Sequence, residues 1–210
     1  MSWYEELDRW TADYLPDMIY EHDAALAKYT SFRIGGPAAI FAQPATVDEL
    51  SKLLRFLAAR GISPRILGAG TNVLAPDEGL REVVICTKDA LTGLRDLGDG
   101  KIEAFAGETL SKTAVFARNL SLTGLEFAHG IPGTVGGAVM MNAGAYGSEM
   151  KNVLLWADVM DRYGTVKRLK NEELELGYRT SALERRGLFA VRAAFSLTTG
   201  DPGAIRAKME

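Results

Sequence analysis

The spacing of apolar residues predicts helices and short strands along most of the chain. Within residues 46–61, apolar side chains recur every three or four positions, as on one face of a helix, at Leu50, Leu53, Leu54 and Leu57. Thr46 and Glu49 fit a capping box at the start of this helix, and Gly61 fits a C-cap at its end.

Three further helices are predicted from the same kind of pattern. A short amphipathic helix occupies the first fifteen residues and ends near Pro16, and another covers residues 110–122 and ends by Gly124. A last helix begins with Asp201 as its cap and Pro202 at its first position. It stops after about two turns, fewer than the ~12 residues that an isolated helix needs. This favours an interrupted helix, with a frayed tail as the alternative.

Strands are predicted where short apolar or alternating runs lie between turn residues. The segments are PRIL, REVVICTK, KIEAFAGE and LFAVRAAFSLTT, the last alternating at Val191, Ala193, Phe195 and Leu197. Residues 153–169 predict a hairpin that turns between Asp161 and Gly164. Residues 171–183 predict a capped short helix or a loop.

Composition narrows the class of protein. The 210 residues are 47% hydrophobic and 24% charged with a net charge of -3, enough for one large domain or two small lobes that share a core. This balance offers no basic surface for nucleic acid, and no apolar run approaches the roughly 18 residues of a membrane helix. The N-terminus is charged and aromatic, which predicts a cytoplasmic location.

Cysteine and histidine usage excludes two kinds of site. Cys86 is the single cysteine, so no internal disulfide is possible, and its apolar surroundings predict a buried core residue. His22 and His129 are far apart and lack partners at the spacing of metal ligands, so we expect no metal site.

A first glycine loop, LGAGTN, follows a predicted strand at residues 67–72. It resembles the start of a dinucleotide fingerprint, but Pro76 and Gly79 prevent the helix that a Rossmann site requires. Its glycines would let backbone N–H groups approach a phosphate as a nest. A plain tight turn explains the same letters equally well.

A second glycine-rich stretch runs over residues 124–147 and is nearly free of charge. Its central glycines surround Pro132 and Thr134, so the backbone can turn sharply and lie close to a flat object; they are Gly130, Gly133, Gly136 and Gly137. Two such loops favour a large, flat, phosphate-bearing ligand contacted by backbone. Close packing of backbone within a core is the alternative.

Tyr178 and Arg179 form a polar and aromatic pair in LGYRTS. An arginine presents a planar fork of donors that suits a carboxylate or an enolate. A surface arginine beside an interface tyrosine is an equally good interpretation.

Together these segments resemble one family, the flavin-dependent UDP-N-acetylenolpyruvoylglucosamine reductases of peptidoglycan synthesis. Four motifs occur in the family's order and spacing: YTSFRIGGPA, LGAGTNVL, GLEFAHGIPGTVGGAVMMNAGAYG and LELGYRTSAL. The similarity runs from about Lys28 to the end of the chain. LGAGTN alone is shared more loosely with other flavoproteins of the vanillyl-alcohol-oxidase type.

The resemblance implies that the two glycine loops hold FAD. The first loop would contact the pyrophosphate through Gly68, Ala69, Gly70, Thr71, Asn72 and Val73. The second would line the flavin through Gly130, Ile131, Pro132, Gly133, Thr134, Gly136 and Gly137. On this interpretation a branched side chain at Gly70 or Gly133 would occupy the cofactor's volume and abolish its binding.

The resemblance also implies the reaction. NADPH reduces the flavin, and UDP-N-acetylglucosamine enolpyruvate then enters the same cleft and is reduced to UDP-N-acetylmuramate. Arg179 would stabilise the negative charge on the carboxylate side, with Tyr178 beside it as a substrate contact. The family's proton-donating serine, in a GS-x-F segment, and its assisting glutamate have no match here, and Ser181 does not fit the serine's motif.

The implied fold is α+β, a two-lobed FAD-binding domain with most of a third, substrate-binding domain missing. The expected divisions are an N-terminal helical segment (1–27), a first lobe (28–88), a second lobe (89–199) and the start of a truncated helix (200–210). A monomer without nucleic-acid or membrane partners is expected. Two alternatives stay open: another flavin oxidoreductase acting on an alcohol or hydroxy acid, and an FAD-binding module without catalysis.

Overall fold

The computed structural model describes residues 2–210. The α-helices of this part of the chain are α1 (Trp3–Tyr14), α2 (Val47–Ala58), α3 (Leu110–Asn119), α4 (Val135–Met141), α5 (Ala182–Arg185) and α6 (Pro202–Met209). Its strands are β1 (Ile19–Ala25), β2 (Pro37–Gln43), β3 (Arg65–Leu67), β4 (Leu80–Cys86), β5 (Leu94–Gly98), β6 (Lys101–Phe105), β7 (Leu122–Thr123), β8 (Gly144–Ala145), β9 (Ser148–Glu149), β10 (Leu154–Asp161), β11 (Val166–Lys170), β12 (Leu188–Ser196) and β13 (Thr198–Thr199).

The first lobe is built on a four-stranded sheet in the order β1-β2-β4-β3. β1 pairs antiparallel with β2, whereas β2, β4 and β3 run parallel to one another. Parallel strands point their carboxyl ends to one edge of the sheet, and in open α/β sheets ligands bind outside that edge. The ends of β2, β3 and β4 therefore mark where a site is expected.

Helix α2 covers this sheet with the leucine face that its sequence pattern predicted. The four leucines of that face are fully buried, and the Thr46 hydroxyl accepts the N–H of Glu49 at 3.1 Å. The Glu49 carboxylate accepts from Ala45 N–H at 2.8 Å rather than from Thr46, so the capping box is only half formed. Gly61, with φ +69°, lies in the turn that follows the helix.

The second lobe is a five-stranded antiparallel sheet in the order β11-β10-β12-β6-β5. The predicted hairpin is confirmed as β10 and β11, and the Asp161 carboxylate accepts N–H groups of Tyr163 and Thr165 across its turn. Strand β12 lies at the centre, so Ala190 and Ala194 are buried as well as the alternating residues that the pattern predicted.

Two predicted elements differ in extent. α3 ends at Asn119 rather than at residue 122, because Leu122–Thr123 pairs as β7 with the distant β13. Residues 171–183 divide into a 3₁₀ turn (Asn171–Leu174), a tight turn and α5. α6 begins as predicted, with the Asp201 carboxylate accepting Ala204 N–H at 2.7 Å.

The lobes share a core. One cluster of buried side chains joins α1, α2, β2 and β4 to Met160 of β10 and Val191 of β12. β1 belongs to the first sheet although it lies within residues 1–27, and the division of the chain into domains stays a prediction. Within residues 2–210 no helix combines the length and apolar character needed to cross a bilayer.

Candidate functional site

A cleft lies between the two glycine loops and has two connected parts. The large cavity, of about 780 Å³, and the small cavity, of about 290 Å³, share walls. The shared residues come from both loops: Gly68, Ala69, Thr71, Ile131, Pro132 and Gly133. The first loop follows β3, and the second runs into the first turn of α4, so each lobe contributes one side of the cleft.

Nearly all the site residues predicted from sequence line this cleft. The small cavity is lined by the whole first loop, by Thr134 and Gly137, and by Arg179, while Gly130 lines the large cavity. Of the predicted site residues, Gly136 and Tyr178 line neither of these two cavities. The predicted meeting of the two loops is thus found, and the contact of each residue with a cofactor stays a prediction.

Gly70 is required by the protein's own backbone. It has φ +64°, and a Cβ there would lie 2.1 Å from the Tyr29 carbonyl oxygen. Its own carbonyl accepts from the Ser31 N–H at 3.0 Å and from the Ser31 hydroxyl at 3.2 Å. The expectation that a side chain at Gly70 would enter the cofactor's volume is therefore wrong, because the segment ending at Ser31 already fills that space.

The first loop presents a row of free donors. Within residues 2–210, the backbone N–H groups of Ala69, Gly70, Thr71 and Asn72 have no hydrogen-bond acceptor. Consecutive free N–H groups in a turn with a left-handed residue form a concavity that binds anions. These free donors suit an anion, but a tight turn also leaves its central N–H groups free, so the nest and the plain turn both stay open.

The glycines of the second stretch divide into two groups. Gly136 packs against its neighbours, because a Cβ there would lie 2.9 Å from the Ala106 Cβ. A Cβ at Gly137 or Gly133 would make only ordinary 3.6 Å contacts, to the hydroxyls of Thr134 and Thr71 respectively. A Cβ at Gly130 would be 3.9 Å from the Tyr146 hydroxyl. Gly136 therefore fits the packing interpretation, and the φ of +153° at Gly133 requires glycine by itself, while the space beside Gly130, Gly133 and Gly137 is what ligand access would need.

Tyr178 and Arg179 form the tip of a two-residue turn. Gly177 and Thr180 bond each other across it, with N···O distances of 3.0 and 3.3 Å. Arg179, with φ +53°, lines both the small cavity and a neighbouring outer cavity of about 550 Å³. Tyr178 lines only the outer cavity of these two and is 92% exposed.

Asn142 ties this turn to the second glycine stretch, a role that the sequence analysis missed. It ends α4 with φ +43° and is buried. Its amide donates to the Gly177 carbonyl at 3.1 Å, and its side-chain oxygen accepts Lys151 N–H at 2.9 Å. An asparagine at a helix C-terminus, where left-handed residues are common, was the signal for it.

Ser181 lies near Arg179 but is fully occupied. The side chain is buried, and its hydroxyl donates to the Met140 carbonyl at 2.7 Å while accepting from Leu183 N–H at 3.3 Å. It therefore caps α5 and is not available to a substrate, in agreement with its poor fit to the family's serine motif.

The large cavity contains residues that sequence reasoning did not select. Lys28 and Tyr29 belong to the segment that ends at Ser31. Gln43 ends the parallel strand β2, and Lys88 follows the end of the parallel strand β4. Cys86 also lines the large cavity, and burial raises the pKa of its thiol to about 11, so it stays protonated. No cluster of potential metal ligands occurs within the part of the chain that the structure describes.

Comparison with known proteins agrees with this geometry. Residues 38–170 match the family described as an FAD binding domain. A cholesterol oxidase from Brevibacterium sterolicum shares the fold, with a TM-score of 0.64 at 16% identity over 88% of this chain and 38% of its own. The two-lobed α+β fold and its cleft thus define an FAD-binding protein, and the predicted cofactor is confirmed at this level.

Relatives at higher identity define the family more narrowly. UDP-N-acetylenolpyruvoylglucosamine reductases from Rubrobacter xylanophilus and Caldanaerobacter subterraneus are 44% and 45% identical, over 89% and 88% of this chain. The crystal structure of the reductase from Thermus caldophilus has a TM-score of 0.74 at 33% identity, covering 91% of this chain and 67% of its own. This chain belongs to the UDP-N-acetylenolpyruvoylglucosamine reductase family. It spans 63% and 61% of the length of the two sequence relatives.

Proposed function

We propose that the chain forms the flavin-binding part of an NADPH-dependent reductase that converts UDP-N-acetylglucosamine enolpyruvate to UDP-N-acetylmuramate. The main support is one observation: Arg179 lines both the small cavity of the cleft and the outer cavity beside it. A guanidinium in this position can contact a second molecule that approaches the cleft from the outer cavity.

The cleft fits FAD on two independent grounds. The free N–H groups of residues 69–72 suit the pyrophosphate, and the open Cβ directions of Gly130, Gly133 and Gly137 leave room along the second loop. FAD, once bound and reduced by NADPH, would supply the hydride to the enolpyruvyl double bond. The loops would hold the cofactor, and residues 68–73 and 130–137 carry no charged side chain, which keeps that wall of the cleft neutral.

Arg179 carries the part of the chemistry that we assign to this chain. Its planar, permanently charged fork would pair with the substrate carboxylate and stabilise the enolate-like charge that would develop on the carboxylate side when hydride adds to the terminal methylene carbon of the enolpyruvyl group. Tyr178 would contact the same substrate from the outer cavity. Asn142 holds the turn that carries both residues through its bond to the Gly177 carbonyl.

The proton that completes the reduction must come from another group. Ser181 is buried and bonded on both sides, so we assign it no catalytic role. A monomer in the cytoplasm, acting on a free nucleotide sugar, is the setting that we propose for the reaction.

An anaerobic single-turnover experiment tests the proposal. The chain is loaded with FAD, reduced with NADPH and mixed with UDP-N-acetylglucosamine enolpyruvate while the absorbance of oxidised flavin is followed. Return of that absorbance in the wild-type chain, but at least tenfold more slowly in Arg179→Ala, is the result expected for a hydride-delivering site. If NADPH does not bleach the flavin, the alternative of an oxidase acting on an alcohol or hydroxy acid gains support.

The same experiment separates the reductase from a binding module. If the flavin is reduced and remains reduced in the presence of the nucleotide sugar, this chain alone holds cofactor without delivering hydride. Repeating the mixing with a longer family member carrying the matching arginine substitution then shows whether the arginine acts in the second half-reaction. Equal loss of both half-reactions would make Arg179 a structural residue.

A further inference from the structure

The two ends of the cleft are lined by different polar side chains, which indicates which end of a bound FAD lies at each. Arg179 stands at the small cavity, whereas the large cavity holds Gln43, Lys88 and Lys28. If the reacting ring of FAD lies by Arg179, and its pyrophosphate on residues 69–72, the adenosine must extend into the large cavity. This step rests on the proposed function, because it uses Arg179 to locate the reacting end.

Gln43 has a side-chain amide whose orientation is fixed by the protein. Its Nε2 lies 3.0 Å from the Lys88 carbonyl oxygen, and a carbonyl oxygen can only accept a hydrogen bond. The amide nitrogen must therefore face the Lys88 carbonyl, and the amide oxygen, Oε1, must point away from it. Within residues 2–210 no group donates to Oε1, so Gln43, which lines the large cavity, carries a fixed acceptor without a protein donor.

Two hydroxyls on the same walls are already engaged. The Thr30 hydroxyl donates to the Ile34 carbonyl at 2.8 Å, and the Ser31 hydroxyl donates to the Gly70 carbonyl at 3.2 Å. Asp89 is a second acceptor, but its side chain is 64% exposed and lies 3.6 Å from the Lys88 ammonium. The side chains of Tyr29, Thr71, Ser111 and His129 also line this cavity without a hydrogen-bond partner within residues 2–210, but each of them can donate or accept. Gln43 Oε1 can only accept, so it alone among these uncharged groups discriminates a donor from an acceptor on a bound base.

We propose that Gln43 Oε1 accepts a hydrogen bond from the exocyclic amino group of adenine and so selects FAD over flavins that lack this group. The amino group at C6 distinguishes adenine from hypoxanthine, which carries a carbonyl oxygen there. Two oxygens cannot share a hydrogen bond, and the Lys88 carbonyl prevents the amide from turning to offer its nitrogen. The fixed orientation of the Gln43 amide therefore discriminates adenine from hypoxanthine.

The test measures binding without turnover. Dissociation constants of FAD, of its deaminated analogue with hypoxanthine in place of adenine, and of FMN are determined by equilibrium dialysis from flavin absorbance. The wild-type chain should bind FAD at least tenfold more tightly than the deaminated analogue, an amount typical of one well-placed hydrogen bond. In Gln43→Leu this ratio should fall to within twofold, with FMN affinity unchanged.

A matched control distinguishes the two directions of the cofactor. Asn152→Leu removes an amide from the outer cavity beside Arg179 and should leave the ratio of FAD to its analogue unchanged. If Asn152→Leu abolishes the ratio and Gln43→Leu does not, the cofactor runs the opposite way and the proposal is wrong. A similar loss of FAD and FMN affinity in Gln43→Leu would reduce Gln43 to a structural residue, which also overturns it.

The result separates this inference from the proposed function. Equal affinity of the wild-type chain for FAD and the deaminated analogue overturns the role of Gln43 but leaves the reductase proposal standing. Failure of the wild-type chain to bind FAD at all contradicts both.

Discussion

Gly136 and Gly137 are neighbours in α4, yet a methyl group would meet different surroundings at each. At Gly136 it would lie 2.9 Å from the Ala106 Cβ, whereas at Gly137 it would meet only the Thr134 hydroxyl at 3.6 Å. We expect Gly136→Ala to lower the free energy of unfolding by about 1–3 kcal/mol through overpacking. We expect Gly137→Ala to leave it unchanged or raise it by up to about 1 kcal/mol.

Cofactor affinity reverses the order of these two variants. Gly137 lines the small cavity, so its methyl group should weaken FAD binding at least tenfold while the chain stays folded. Urea titration and equilibrium dialysis of both variants measure the two effects separately. Normal FAD affinity in a folded Gly137→Ala chain would contradict the assignment of the second loop to the cofactor.

Gly70 is a test of folding rather than of binding. A side chain there would meet the Tyr29 carbonyl oxygen at 2.1 Å and would adopt φ +64°, which costs L-residues roughly 1–2 kcal/mol by itself. We expect Gly70→Ala to lower the free energy of unfolding by about 2–4 kcal/mol in chains that contain no FAD at all. Unchanged stability of the cofactor-free variant, measured by urea titration, would show that the backbone contact with Tyr29 is dispensable.

At the level of elements, one side chain links the end of α4 to the turn that carries Arg179. Asn142→Gly keeps the left-handed backbone at this position but removes both side-chain hydrogen bonds. We expect faster hydrogen exchange of the Gly177 and Thr180 amides, which bond each other across the turn, and a loss of about 1–2 kcal/mol of stability.

Asn152→Gly is the matched control for this prediction. The Asn152 side chain makes no hydrogen bond within residues 2–210, so its removal should leave exchange at Gly177 and Thr180 unchanged. Equal acceleration in both variants, or in neither, would mean that Asn142 does not hold the turn.

Elements that depend on local patterns could be predicted from the sequence, whereas those that depend on long-range pairing could not. The leucine face of α2 and the β10–β11 hairpin were predicted because their patterns are local. The early end of α3 was not, because it depends on pairing between β7 and β13, which are far apart in the chain. The glycine loops were likewise recognisable in the sequence, but only the three-dimensional structure distinguishes Gly136, which packs against Ala106, from Gly137, which faces open space.

The missed site residues have a common physical cause. Gln43 and Lys88 line the large cavity because β2 and β4 run parallel and end at the same edge of the sheet. Strand order and direction are properties of the whole sheet, and no local pattern around Gln43 reports them. The glutamine therefore looked like an ordinary polar residue at the end of a strand.

At the scale of the whole molecule, a row of alternating charges crosses all five strands of the second sheet. Each strand contributes one residue, in the spatial order Arg168, Asp158, Arg192, Glu103 and Arg95. Asp158 and Glu103 are buried, and Asp158 accepts hydrogen bonds from Arg168 at 2.7 Å and from Arg192 at 2.6 Å.

Asp158→Asn would leave two partly exposed arginines without their shared carboxylate. We expect the free energy of unfolding to fall by about 2–3 kcal/mol at pH 7.

The pH dependence of this loss tests its electrostatic origin. Burial raises the pKa of Asp158, but hydrogen bonds from Arg168 and Arg192 outweigh it and hold the pKa below the ordinary value of 3.8. A lowered folded-state pKa contributes stability that is complete above the unfolded-state pKa and is lost as pH falls towards the folded-state pKa. The stability difference between wild type and Asp158→Asn should therefore be constant from pH 7 to about 5 and shrink below about pH 4.

Asp17→Asn is the control, because Asp17 is exposed and has no ion pair within residues 2–210. Its stability in urea titrations should equal that of the wild type at neutral and at acid pH. A difference for Asp158→Asn that persists undiminished at pH 3 would mean that shape and hydrogen bonding, rather than the charge, make this carboxylate necessary.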